Sequence, residues 1–104
     1  MAVAYVQEFP IVAGDLSTTN YDAVARELNL SGAPDGLIVH TAGFDQTDGV
    51  FRIFDVWESR EQGERFIREQ LNPIIERFMA NPPGDAEFTP PALESWYELH
   101  GELH

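Results

Sequence analysis

The stretch LIVHTAGFDQTDGVFRIFDVW, residues 37–57, decides the fold. Two runs rich in β-branched and aromatic residues, 37–44 and 50–57, flank DQTDG, residues 45–49. Asp48-Gly49 is a hairpin turn signal, because such turns need residues that tolerate positive φ. A hairpin about that turn sets Phe44 against Phe51, Ala42 against Ile53, His40 against Asp55 and Ile38 against Trp57. Side chains alternate along a strand, so these eight share one face. The other face carries Leu37, Val39, Thr41 and Gly43 against Val50, Arg52, Phe54 and Val56.

His40 stands where another aliphatic residue would suit a buried strand. Opposite a carboxylate it reads as an acid–base pair. Asp55 would orient the imidazole, favour its charged form and raise its pKa from about 6.5. The same pair also serves as a satisfied polar pair in a core. The sequence leaves both readings open.

Upstream, residues 3–12 read as a strand, with Pro10 marking an edge or ending the pairing. Gly14-Asp15 turns the chain. In TTNYDAVARELNL, 18–30, Tyr21, Val24, Ala25 and Leu28 fall on one helical face. Thr19 is the expected cap, with Asp22 in the capping-box position. SGAPDG, 31–36, ends that helix. Downstream, Ser59 and Gln62 form a capping-box pair that opens a second helix. Phe66, Ile67, Leu71, Ile74, Ile75 and Phe78 keep helical spacing. Pro73 should end or kink the helix near Leu71, or start a short second piece. NPPGDAEFTPP, 81–91, is a loop, and ALESWYELHGEL, 92–103, is a last strand. Trp96 and Tyr97 must face opposite ways, so only one of them looks into any cleft.

The order is β-α-β-β-α-β. It predicts a ferredoxin-like α+β sandwich, a four-stranded antiparallel sheet with two helices on one face. At 104 residues the chain suits one domain, 1–104, with a small core. Both faces of the hairpin are apolar, yet two helices cover only one. A second copy of the sheet is the simplest cover, which predicts a homodimer. Arg52, on that dimer side, is expected to pair with a carboxylate across the interface. The His40 face, roofed by Tyr21, Leu28, Phe66, Ile67 and Leu71, has the apolar walls and few polar groups of a ligand cleft. Tyr21, Phe44, Ile53, Phe66 and Leu71 are its candidate substrate-binding residues.

Composition removes several chemistries. The net charge is -12, all six basic residues are Arg, and no basic patch forms, so neither nucleic acid nor an anionic membrane is an expected partner. Without Lys there is no lysine Schiff base, and without Cys no thiolate, disulfide or cysteine-ligated metal. No G-x-S-x-G motif supports a serine nucleophile. His100 and His104, with Glu98 and Glu102, lie near the C-terminus and read as a solvated tail, so no metal site is expected. The N-terminus lacks a basic n-region, and no apolar run could span a bilayer, so a cytoplasmic location is expected.

DVWESREQGERFIREQLNPI, 55–74, following GLIVHTAG, 36–43, resembles the antibiotic biosynthesis monooxygenase-like group of dimeric α+β barrel proteins. The shared feature is an acidic-X-Trp pattern at a strand end before a capped helix, here Asp55 and Trp57. The resemblance covers roughly 3–100. It implies cofactor-free oxidation of aromatic, polyketide-type metabolites. Haem-degrading members carry a His on the second helix, and residues 60–71 contain none, which argues against haem. The leading expectation is a cofactor-independent monooxygenase with His40 as base, Asp55 as its orienting partner and Trp57 as a wall and hydrogen-bond donor. A non-redox cyclase or isomerase using the same pair is the second. A binding dimer without chemistry is the third.

Overall fold

In the computed structural model the hairpin pairs largely as the sequence predicts. Residues 2–12, 14–28, 34–82 and 90–101 are described. Strands β1 (Val3–Pro10), β2 (Leu37–Asp45), β3 (Val50–Trp57) and β4 (Leu93–Glu98) form one sheet. Its order is β2-β3-β1-β4, with every neighbouring pair antiparallel. Helices are α1 (Thr19–Leu28), α2 (Arg60–Phe66) and α3 (Asn72–Ala80). A π-helical segment, Ile67–Leu71, joins the last two into one continuous helical stretch. This is the ferredoxin-like arrangement, with β1 and β3 in the middle of the sheet.

His40 opposes Asp55, Ala42 opposes Ile53 and Phe44 opposes Phe51. The register then slips between Leu37 and Val39, and Leu37 rather than Ile38 opposes Trp57. This corrects the expected Ile38–Trp57 pair. The slip is a bulge on an edge strand, a common place for one. It brings Leu37 against the Val3, Tyr5 and Trp57 cluster and leaves Ile38 37% exposed. At the turn, Gly49 has φ +68°, and the Asp48 N–H donates to Asp45 Oδ1 at 3.0 Å.

The helix starts follow local hydrogen bonding. Helix α1 already includes Thr19, so the closing residues lie one step earlier than expected. The Thr18 hydroxyl donates to Asp22 Oδ2 at 2.8 Å, and the Asp22 N–H donates to the Thr18 carbonyl at 2.8 Å. At α2 the expected box forms. Ser59 Oγ accepts from the Gln62 N–H at 3.2 Å and donates to Gln62 Oε1 at 2.9 Å. Ser59→Ala should cost about 1 kcal/mol by removing that acceptor. The midpoint of urea unfolding measures it.

Pro73 acts differently from a simple helix stop. It has no N–H, and in an α-helix its ring would crowd the carbonyl four residues back, that of Glu69. The chain widens ahead of it instead. The Asn72 N–H donates to the Ile67 carbonyl, five residues back, and Pro73 falls in the first turn of α3. A single π-turn thus carries the helix past the proline.

The core sits at one end of the helix-covered face. Val3, Tyr5 and Trp57 are buried there, with Leu37, Phe66, Ile67 and Trp96 packed around them. Trp57 is only 1% exposed. Gly63 of α2 lies close to this cluster, where a Cβ would stand 2.7 Å from Trp96 Cη2 and 3.1 Å from the Trp57 ring. Only a residue without a side chain lets the helix sit that close.

The strand pairing decides two alternatives that the sequence leaves open, at Pro10 and at Trp96/Tyr97, and corrects the expected cross-interface partner of Arg52. Pro10 is the last residue of an interior strand, so it ends pairing rather than marking an edge. Trp96 pairs beside Tyr5 and stacks on it at 4.2 Å, while Tyr97 faces the other way and is 47% exposed. Arg52 reaches partners inside its own chain: Glu8 at 2.7 Å, Asp45 at 2.9 Å and Asp48 at 3.4 Å. These carboxylates come from the facing position on β1 and from the turn, so they are the nearest anions it meets. Among the described residues no helix is long and apolar enough to cross a membrane. The expected helix end at 29–33, most of the expected loop (83–89) and the tail residues Glu102 and His104 lie outside the described residues.

Candidate active site

The site is built on the edge of the sheet. Strand pairing places His40 of β2 directly beside Asp55 of β3. His40 Nδ1 and Asp55 Oδ1 are 2.5 Å apart, and the side chains are 41% and 14% exposed respectively. The half-buried carboxylate is the stronger acceptor, so Nδ1 carries the proton and donates to it. That fixes the neutral ring as the tautomer whose Nε2 holds a lone pair.

Helix α1 brings a third group. Tyr21 Oη lies 2.6 Å from His40 Nε2. With the lone pair on Nε2, the phenol donates and the imidazole accepts. The two ring planes agree to within 1°, with centroids 6.1 Å apart. Both ring nitrogens of His40 are therefore engaged within the chain, in the order Asp55, His40, Tyr21.

The environments tune these groups in one direction. The Asp55 hydrogen bond lifts the His40 pKa above its ordinary value, burial pulls the other way, and the Asp55 charge adds to the rise. Burial raises the Tyr21 phenol, assisted by the charges of Asp55 and Asp22. Tyr21 thus stays protonated at neutral pH and is a donor there. Next along the sheet, Tyr5 stands beside Asp55 and donates to Glu94 Oε1 at 2.5 Å. Burial and then Glu94 push that phenol far up, which keeps it protonated.

Aromatic rings line the near side. Tyr21 meets Phe51 edge-on at 5.6 Å, and Phe51 meets Phe44 at 4.9 Å. Ile53 lies between Asp55 and Phe51 on the same face of β3 and is half-buried. Of the candidates read from the sequence, His40, Asp55 and Tyr21 are in contact, and Phe44 reaches them through Phe51. Trp57 and Phe66 pack on each other at 5.5 Å in the core. There Trp57 Nε1 is buried without a hydrogen-bond partner among the described residues. Leu71 is half-buried at the end of the π segment.

Two features were not read from the sequence. Strand alternation predicts Phe51 opposite Phe44 on the His40 face, and the structure adds it to the site through its contact with Tyr21. Helical spacing predicts Tyr21 as an apolar wall, and the structure makes it a hydrogen-bond partner of His40. No spacing signal marks that bond, because it depends on how α1 lies over the sheet.

Two solved structures share this fold. One is a protein from Chloroflexus aurantiacus, provisionally described as an antibiotic biosynthesis monooxygenase. It is 13% identical, with a TM-score of 0.63 over 100% of this chain and 98% of that one. The other is a mutant of SnoaB, a cofactor-independent oxygenase from Streptomyces nogalater. It is 15% identical, with a TM-score of 0.63 over 98% of this chain and 96% of that one. No family model matches the chain, and no curated protein matches it in sequence. The chain therefore has the fold of antibiotic biosynthesis monooxygenase domains.

Proposed function

We propose that this protein is a cofactor-independent oxygenase of a planar aromatic, polyketide-like metabolite, with His40 as the base and Asp55 as its orienting partner. The observation that carries the reading is the His40–Asp55 pair, which opens through Tyr21 beside Phe51 and Phe44. A base so placed removes a proton from an electron-rich CH₂ or phenol. For an anthrone, the resulting carbanion gives one electron to O₂, the radical pair joins as a peroxide anion, and this takes the first proton back from the imidazolium to become the hydroperoxide. Loss of the second C–H proton expels hydroxide, which takes a proton. One oxygen atom ends in the new carbonyl and the other in water. The fold shared with a cofactor-independent oxygenase supports this chemistry.

A second reading keeps the proton transfer and drops the oxygen. The three-residue array is proton-transfer machinery, which favours a cyclase or isomerase as the alternative. Oxygen uptake with 1,8-dihydroxy-9-anthrone separates the two. The oxygenase consumes one O₂ for each anthrone converted. An isomerase consumes none above the uncatalysed rate.

His40 must be neutral to act as base. Its raised pKa therefore places the acid limb of the kcat/KM profile above about pH 6.5. Activity rises with pH through that limb. The stability linkage runs the opposite way. A pKa raised on folding adds stability below about pH 6.5, and this is lost as pH rises through the folded value. A kcat/KM–pH series beside thermal melts over the same range checks both signs.

A second copy of the chain is the proposed cover for the outer face of the sheet. Val39, Leu93 and Tyr97 on that face are 38%, 45% and 47% exposed. Such apolar exposure on one sheet face favours self-association. Sedimentation equilibrium should return twice the chain mass of 11.7 kDa, and a monomer would reject the proposal.

A further inference from the structure

We propose that Tyr21 Oη is the catalytic atom that touches the substrate, with His40 acting through it; this rests on the proton-removing reading of the site. The reason is geometric. His40 has two ring nitrogens and both are engaged, Nδ1 with Asp55 and Nε2 with Tyr21. A substrate that approached Nε2 directly would first have to displace the phenol from a 2.6 Å hydrogen bond. Tyr21 Oη, in contrast, has a lone pair left when it donates to Nε2. It also lies on the ring that meets Phe51, and through Phe51 the Phe44 ring. A flat aromatic substrate resting on these rings presents its acidic hydrogen to the phenol oxygen, not to the imidazole.

The step balances without any other reactant. The substrate C–H or O–H bond breaks, and its electron pair stays on the substrate as the anion. The proton forms a new O–H bond on Tyr21. The proton already on Tyr21 passes to His40 Nε2. The array ends with a neutral phenol, an imidazolium and the Asp55 carboxylate beside it. Tyr21 never has to exist as a free phenolate, which agrees with the burial and the neighbouring Asp55 and Asp22 charges that resist its ionisation.

The ligand class follows from the same geometry. It is a planar, electron-rich aromatic with a benzylic CH₂ or a phenol at its edge.

The test compares Tyr21→Phe with His40→Gln. The first keeps the ring and removes only the oxygen. The second keeps an acceptor for Tyr21 but cannot take its proton. The probe is 1,8-dihydroxy-9-anthrone, mixed first without oxygen to read formation of its anion, then with oxygen to read uptake. Circular dichroism and melting temperature confirm that each variant folds. The expected result is that both variants form the anion about 10²–10⁴-fold more slowly than the native chain, the range for losing a positioned acid–base group. KM should change little in Tyr21→Phe, because the ring contacts remain. If Tyr21→Phe matches or exceeds the native rate while His40→Gln is slow, Tyr21 is only a cap on Nε2 and the inference fails, while the function reading stands. If both variants keep the native rate, or the native chain forms no anion, the inference and the function reading fail together. A separate variant with 2,3-difluorotyrosine in place of Tyr21 gives a second readout. A fluorinated phenol at 21 should shift the pH profile, and an unmoved profile counts against proton transfer at Oη.

Discussion

Asp55→Asn lowers turnover about 10²–10⁴-fold while leaving the fold in place. Asparagine has the size of aspartate and can still meet His40 Nδ1. It brings no charge, however, and it can donate as well as accept. The neutral ring then loses its single tautomer, and a lone pair no longer has to face Tyr21. The imidazolium formed after proton transfer also loses the carboxylate 2.5 Å away. The His40 pKa falls back toward about 6.5, because the hydrogen bond to Asp55 is the largest cause of its rise. The acid limb of kcat/KM should move to lower pH as its plateau drops. NMR titration of the His40 ring resolves the two effects. An unchanged His40 titration in Asp55→Asn would show that the pair does not tune the imidazole.

Trp57→Ala has the largest expected effect on stability, about 3–5 kcal/mol. Trp57 is 1% exposed and is the hub of the cluster formed with Val3, Tyr5, Leu37, Phe66, Ile67 and Trp96. Its removal leaves a hole that the sheet and α2 cannot both close. A domain of this size has only about 5–15 kcal/mol of total stability, so the variant should be largely unfolded at modest urea. Gly63→Ala tests the same packing from the other side. A Cβ at 2.7 Å from Trp96 forces the helix or the indole to move, and overpacking of that kind costs about 1–3 kcal/mol. Urea unfolding followed by tryptophan fluorescence measures both. A wild-type midpoint for Trp57→Ala would mean that this indole is not the centre of the core.

These two results concern neighbouring positions on one face of β3, and the sequence marks their surroundings unequally. The Asp48-Gly49 turn and the alternation on either side were enough to place His40 opposite Asp55. Register in a short hairpin is set by its turn, and a one-residue slip would turn every side chain over. The slip at Ile38 left no such mark, because Leu37 and Ile38 are both aliphatic and either suits the core. The Ser59–Gln62 cap is local chemistry and was legible as such. The π-turn before Pro73 was not, since a helix can answer a proline by kinking, stopping or widening. Tyr21 shows the same limit in the site. Its place on the inner face of α1 follows from helical spacing, but its bond to His40 depends on the tilt of that helix over the sheet. Alternation puts Arg52 on the outer face, but its in-chain partners come from β1 and from the hairpin turn.

Anaerobic mixing of the native chain and of His40→Gln with 1,8-dihydroxy-9-anthrone tests the proton-removing role most directly. Oxygen is absent, so only the first chemical step is read. If His40 is the base, the native chain forms the anthrone anion rapidly at neutral pH and His40→Gln, though folded, forms it about 10²–10⁴-fold more slowly. Equal rates of anion formation in the two proteins would contradict it.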